Sequence, residues 1–189
     1  MRYYSFNARW NAAGDQQMAS MRDGSGDEYV IWFAPEGAAI KGLGHESPMS
    51  PASTKFVHEV QAGVPLYPGL LDGFPDALRP FLEEPAFALE HTTFVLWRLA
   101  SDDAWHRGNI QFPENKDPDG SAGLLGILAG EPALYVDFAS DYFEANPGSS
   151  DVARVLALEP LDDALLQRLG ATRTLEQLAD DLAEIGYPG

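Results

Sequence analysis

The sequence predicts a single α+β domain over residues 1–189, with a mainly antiparallel sheet of N-terminal and central strands covered by C-terminal helices. A chain of 189 residues with 45% hydrophobic side chains is long enough for one well-filled core and short for two. Apolar residues follow period two before Gly120 and period 3.6 after it. Because strands and helices do not alternate regularly, a doubly wound parallel sheet is excluded.

The first strands are predicted from alternating or β-branched segments. Residues 1–10 alternate loosely and predict a half-buried strand, whereas residues 15–22 predict a short helix with its two methionines inward. Residues 29–33 are β-branched and aromatic, which is typical of a buried strand. A Pro/Gly turn follows, so residues 38–41 are expected to return as the second strand of a hairpin.

The central part of the chain contains the strongest strand signal. Residues 92–99 are apolar on both predicted faces, which indicates a central strand covered on two sides, and residues 109–112 are expected to pair with it. Residues 75–82 predict a short helix because a proline stands at its first position and an acid in its first turn. Residues 56–61 fit either helix or strand.

The C-terminal third is predicted to be helical. Residues 132–144 carry an apolar stripe at helical spacing, and residues 161–169 and 175–185 form a closing pair. Thr174 and Gln177 predict a capping box at the start of the last helix. Residues 152–158 fit a strand or a helix.

The net charge of -17 constrains the partners. Residues 1–72 contain 5 bases and 8 acids, a net charge of -3, whereas residues 73–189 contain 7 bases and 21 acids, a net charge of -14. Such a surface repels nucleic acid and anionic membranes and attracts a basic protein partner. An acidic surface that only keeps the protein soluble remains the alternative.

Several classes of protein are disfavoured by what the sequence lacks. There is no cysteine, which removes disulfides and thiolate zinc sites, and no segment with the composition of a secretory signal or a membrane span. A cytoplasmic location is therefore expected. No phosphate-binding loop and no dinucleotide fingerprint occurs, so no cofactor is expected.

Two polar segments carry weak catalytic candidates. His45 and Glu46 stand beside a serine in a Gly/Pro-rich loop, where a base near a hydroxyl can activate it. Asp102, Asp103 and His106 follow the strongest strand, where carboxylates can raise the pKa of a histidine or hold a cation. In the alternative interpretation, both segments are turns held by their own hydrogen bonds.

A third segment resembles the start of a calcium-binding loop. Asn115, Asp117 and Asp119 alternate and are followed by Gly120, which matches the opening of an EF-hand loop. Gly126 occupies the twelfth position, where that loop needs a bidentate glutamate. The alternative is a turn whose acids bond the local backbone and cap the next helix.

Two functions from different classes are compatible with these features. In overall character the chain resembles the small acidic intracellular α+β proteins that serve bacteria as immunity or regulatory partners, which implies an interaction protein that binds a basic protein. The alternative is a metal-assisted hydrolase with a His/Asp/Glu site built from the loops at 45–47, 102–106 and 115–120. The charge asymmetry and the lack of a catalytic signature favour the first, so an enzyme is the less expected class.

Overall fold

The computed structural model describes residues 4–188. The chain divides into two compact units, Met1–Leu124 and Leu125–Gly189, and each is described by itself. The first unit contains the antiparallel sheet and the second is helical, which confirms the predicted α+β class. The assignment of residues 1–189 to a single domain stays a prediction.

Within the described part of the chain, five strands form one antiparallel sheet and two more form a separate ribbon. The sheet has the order β1-β2-β3-β4-β7, and β5 pairs with β6. The strands are β1 (Tyr4–Asn7), β2 (Gln17–Arg22), β3 (Glu28–Ala34), β4 (Gly37–Leu43), β5 (Glu59–Gln61), β6 (Val64–Leu66) and β7 (Phe94–Leu99).

The register of the sheet places a small residue between two large ones. Ala39 pairs with Trp32 on one side and with Trp97 on the other, and it is fully buried. The two indole rings share one face of the sheet because residues directly opposite each other point to the same side. A larger residue at position 39 would have to displace one of them, since the interior is close-packed.

That face of the sheet forms the core of the first unit. It packs against residues 49–89, and the rings of Trp32 and Phe81 lie 6.0 Å apart while those of Phe81 and Phe87 lie 5.3 Å apart. Each of these buried aromatic side chains contributes about 2–3 kcal/mol by removing apolar surface from water. The buried core residues are Val30, Trp32, Ala39, Met49, Leu66, Leu70, Leu78, Phe81, Phe87, Leu89, Val95 and Trp97.

Six α-helices and three short 3-10 helices are the other regular elements among residues 4–188. The first unit has α1 (Arg79–Glu83) between the 3-10 helices Asp76–Leu78 and Pro85–Phe87. Five further α-helices follow residue 120, as the change of period predicts. They are α2 (Ser121–Leu125), continued by the 3-10 helix Gly126–Ala129, α3 (Pro132–Phe143), α4 (Ser149–Leu156), α5 (Asp163–Arg168) and α6 (Leu175–Ile185).

Local capping groups fix the two closing helices. The capping box at α6 is confirmed, since Thr174 accepts from the Gln177 backbone N–H and Gln177 accepts from the Thr174 N–H. At α5, the carboxylate of Asp162 accepts from the Leu165 N–H at 2.6 Å. Gly186 ends α6 in the left-handed conformation, which glycine adopts without steric cost.

The predicted helix at residues 15–22 is wrong, because these residues form β2. This strand pairs with β1 over residues 18–21 on one side and with β3 over its full length on the other. Met18 and Met21, spaced for one helical face, therefore point to opposite faces of the sheet. Pairing with two neighbours overrides a local helical pattern in a segment this short. The predicted N-terminal strand is present as β1, while residues 1–3 lie outside the described residues.

The predicted central position of residues 92–99 is also wrong. Residues 94–99 form β7, which is the last strand of the sheet and pairs with β4 alone among the named strands. Residues 109–112 form no strand, and His106 instead makes an isolated antiparallel bridge with Trp97. Apolar residues on both faces indicate burial on both faces, and burial does not require a neighbouring strand on each side.

Candidate functional site

His45 lies in the loop after β4 and is held by Asp27. Asp27 Oδ1 accepts the backbone N–H of His45 at 2.8 Å and lies 2.7 Å from its Nδ1. Because a carboxylate only accepts, Nδ1 carries the proton in this pair. The hydrogen bond that His45 donates to Asp27 raises the pKa of His45 above its ordinary value of 6.5.

Glu46 lies on the other side of the same imidazole. Its Oε1 is 3.9 Å from His45 Nε2, and its side chain is 89% exposed, so it adds only a weak, solvent-screened attraction. The neighbouring Ser47 is buried, donates its hydroxyl hydrogen to the Pro118 carbonyl at 2.6 Å and accepts from the Met49 N–H. That hydroxyl is therefore engaged in holding the loop, with its proton directed away from His45.

The segment at 115–120 uses its side chains on its own backbone. Asn115 accepts from the Asp117 N–H at 3.1 Å, and Asp119 accepts from the Ser121 N–H at 2.9 Å. The carboxylate of Asp117 accepts from two N–H groups in the first turn of α2, at 3.2 and 2.8 Å. These contacts are those of a turn that starts a helix. Among residues 4–188, no group of three or more His, Asp or Glu side chains is placed to hold a metal ion.

The segment at 102–106 forms a small dyad beyond β7. Asp102 Oδ2 accepts from the Leu99 N–H at 2.9 Å and lies 3.2 Å from His106 Nε2. The backbone of His106 exchanges two hydrogen bonds with Trp97, at 2.8 and 3.0 Å. Asp103 is exposed on the outside of this turn.

Two of the three predicted loops meet in space. Thr93 joins them, because its Oγ1 accepts from the Gly44 N–H at 2.9 Å and donates to the Asp119 carbonyl at 2.6 Å. The third loop, at 102–106, contacts β7 through the bridge between His106 and Trp97. Trp97 lies three residues after Phe94, the first residue of β7, and so about 10 Å along the strand from the end where the other two loops meet. The hydrolase alternative therefore has one of its three loops apart from the other two.

Sequence reasoning missed the residues that organise this region. Asp27 and Thr93 make the decisive contacts, but they stand 18 and 49 positions from the loop residues that they bind. No motif relates such distant positions. The only signal in the sequence is that both residues flank a strand, which places them at an edge where loops gather.

In the second unit every arginine is paired with an acid. Arg154 contacts Glu159 at 2.8 Å, Arg168 contacts Asp151 through several hydrogen bonds, and Arg173 contacts Asp181 at 2.9 Å. Hydrogen bonds from Arg168 lower the pKa of Asp151, which keeps that pair ionised. Residues 125–189 contain 12 acids and 3 bases, a net charge of -9, and three of these acids form salt bridges with arginine within residues 125–188.

The same unit contains an apolar groove. Its volume is about 480 Å³, and its walls come from α3, α4, α5 and the loops that follow α3 and α5. Two of its residues, Phe143 and Leu156, are 53% and 43% exposed. The residues that line the groove are Tyr135, Ala139, Phe143, Ala145, Pro147, Val152, Val155, Leu156, Leu166, Leu169, Gly170 and Ala171.

Exposed hydrophobic residues are concentrated in this unit. It holds seven of the eleven large hydrophobic side chains that are exposed among residues 4–188. Within those residues no single helix is both long and apolar enough to cross a membrane, although the bent pair Ser121–Ala129 and Pro132–Phe143 reaches that length and composition together. The seven are Leu128, Leu134, Tyr142, Phe143, Leu156, Leu158 and Ile185.

Comparison with known proteins gives no relative from which a function can be transferred. No family model, no curated protein and no solved structure matches this chain.

Proposed function

We propose that this protein is an acidic interaction protein whose C-terminal unit, residues 125–189, binds a basic protein partner. The observation that carries the proposal is the pairing of all three arginines of this unit with its own acids. Each pair neutralises one acid, and the other nine acids give the unit its net charge of -9. A basic surface is the complement of this charge distribution.

The charge is denser in this unit than in the rest of the chain. Residues 1–124 contain 17 acids and 9 bases, a net charge of -8 over nearly twice the length. Attraction between exposed charges decays over about 8 Å at physiological salt, so charge held within one unit of 65 residues accelerates encounter more than the same charge spread over the whole chain. Binding is therefore expected to be faster and tighter at low salt.

The test asks whether binding depends on where the negative charges of the protein lie or only on how many there are. One variant carries Asp137→Asn, Asp141→Asn and Glu184→Gln in the C-terminal unit. Its matched control carries Glu36→Gln, Glu83→Gln and Glu114→Gln, three exposed acids of the first unit. Both triple variants change the net charge from -17 to -14.

The readout is capture of partners by the full chain at about 50 mM salt, followed by titration of each captured protein against the three forms. We expect a basic partner whose Kd rises about 3–10-fold for the C-terminal variant and stays within about twofold for the control. Capture of no basic partner, or an equal loss in both variants, overturns the proposal.

A further inference from the structure

The walls of the apolar groove offer side chains and almost no free backbone donors. The N–H of Ala145 is bonded to the Ala139 carbonyl at 3.1 Å, and the N–H of Ala171 to the Leu166 carbonyl at 2.9 Å. Pro147 has no N–H, and the remaining lining residues lie within helices or their last turns. An extended peptide would leave its own backbone groups unpaired here, whereas a helix satisfies them internally.

The rim of the groove exposes large apolar surface. Phe143 and Leu156 stand on α3 and α4, and each turns a substantial part of its side chain to water. On α3, the lining residues Tyr135, Ala139 and Phe143 recur every four positions, so they follow one side of the helix for two turns. A partner helix that places apolar residues at similar spacing can cover this row.

Charge excludes several occupants of such a groove. A second copy of this chain carries a net charge of -17, and anionic lipids and fatty acids are also repelled by a unit of charge -9. A 65-residue unit has a radius of gyration of about 11 Å, which is close to the Debye length of about 10 Å at 0.1 M salt, so the net negative charge of the unit acts on an occupant of its groove and acts more strongly at lower salt. A cationic occupant gains from both the groove and its surroundings.

We propose that this groove binds a cationic amphipathic α-helix, whose apolar residues enter between α3, α4 and α5 while its basic residues face the surrounding acids. This inference rests on the proposed function and deepens it, because it names the segment of the basic partner that is recognised and the surface that recognises it. The contacts needed are apolar anchors at helical spacing and positive charge along the flanks of that apolar face.

The experiment uses the full chain and two synthetic peptides of about 14 residues, roughly four helical turns. Both peptides contain the same leucines and lysines. In the first, leucines follow helical spacing on one face, and in the second the same residues are scrambled so that no face is apolar. Fluorescence anisotropy of labelled peptides gives Kd at low and high salt.

The matched variants are Leu156→Asp, in the groove, and Leu158→Asp, which is 58% exposed and is not a lining residue. Both add one negative charge, which by itself strengthens attraction to lysine. We expect Leu156→Asp to weaken the amphipathic peptide about tenfold and Leu158→Asp to leave it within about twofold. Phe143→Ala, at the other large exposed side chain of the groove wall, is a second groove variant and must also raise the Kd of the amphipathic peptide.

The outcomes separate this inference from the proposed function. The groove is not the binding site if the amphipathic and scrambled peptides have equal Kd, or if Leu156→Asp and Leu158→Asp have equal effects. Either outcome leaves the acidic surface as the binding determinant. If neither peptide binds at low salt, both proposals fail. Circular dichroism and melting curves establish that each variant is folded before it is titrated.

Discussion

Asp27 Oδ1 binds two nitrogens of His45, the backbone N at 2.8 Å and Nδ1 at 2.7 Å. The two residues are 18 positions apart, and their contact ties the loop after β4 to the start of β3. It also sets the protonation of the imidazole, because the carboxylate stabilises the charged form.

The first prediction concerns the pH dependence of this pair. The hydrogen bond that His45 donates to Asp27 raises the pKa of His45, so the stability that it contributes is fully present below the ordinary pKa of 6.5 and is lost as pH rises through the folded-state pKa. NMR titration of the ring should give a pKa above 6.5 in the native protein, and Asp27→Asn should lower it. Glu46→Gln, which removes the more distant carboxylate, should lower it less. An equal effect of the two variants contradicts the assignment.

The second prediction concerns the buried Lys41. Its side chain is fully buried, and Nζ donates to the carboxylate of Glu28 at 3.3 Å and to the carbonyls of Ala88 and His91 at 3.2 and 3.0 Å. Lys41→Met should lower the free energy of unfolding by about 2–3 kcal/mol, because three hydrogen bonds of a buried charged group are lost together. Lys55→Met at an exposed position is the control and should change it by less than about 0.5 kcal/mol. Urea denaturation measures both.

The third prediction contrasts two adjacent threonines, both fully buried. Thr92 Oγ1 has no hydrogen-bond partner among the described residues, whereas Thr93 Oγ1 bonds to the Gly44 N–H and the Asp119 carbonyl. Thr92→Val should stabilise the protein by about 1 kcal/mol, since it removes a buried polar group that is unpaired. Thr93→Val should destabilise it by about 1–3 kcal/mol, because it leaves two backbone groups without a partner. Loss of stability in both variants would refute the assignment for Thr92.

The fourth prediction concerns the packing of Gly108. A Cβ at this position would lie 2.0 Å from the Gly69 carbonyl oxygen and 2.6 Å from that of Leu70, both of which belong to the backbone. Gly108→Ala should therefore lower stability by about 1–3 kcal/mol, because the two segments must move apart. Gly126→Ala is the control, since open space surrounds that position and alanine reduces the entropy of the unfolded chain. Thermal melting should show a lower Tm for the first variant and no loss for the second.

Much of the fold could be predicted, and the errors have identifiable causes. Residues 29–33, 38–41 and 94–99 are strands as expected because their β-branched and aromatic residues pack well on a pleated surface. The helix predicted at residues 15–22 is wrong because methionines three apart match one face of a helix, although residues 17–22 form a strand in which they lie on opposite faces. Only its pairing with β1 and β3 decides between the two.

The candidate site was less predictable than the fold. The sequence predicts polar loops at 45–47 and 115–120, and Thr93 brings them together. It predicts the loop at 102–106 from the same kind of pattern, but this loop lies further along β7. Polar composition indicates that a segment is a loop. Which other loops it contacts in space depends on the length and register of the strands that connect them.

The sequence alone determined the change from strand to helix near residue 120, the capping box at Thr174 and the excess of acids in the later part of the chain. These features depend on residues that are close in sequence, so local periodicity and composition are enough to predict them. Only the tertiary structure decided that β7 is an edge strand, that Asp27 binds His45, and that the three arginines after residue 124 are each paired. Such contacts depend on strand register and helix packing, because one shift of register changes every pair of residues that meet.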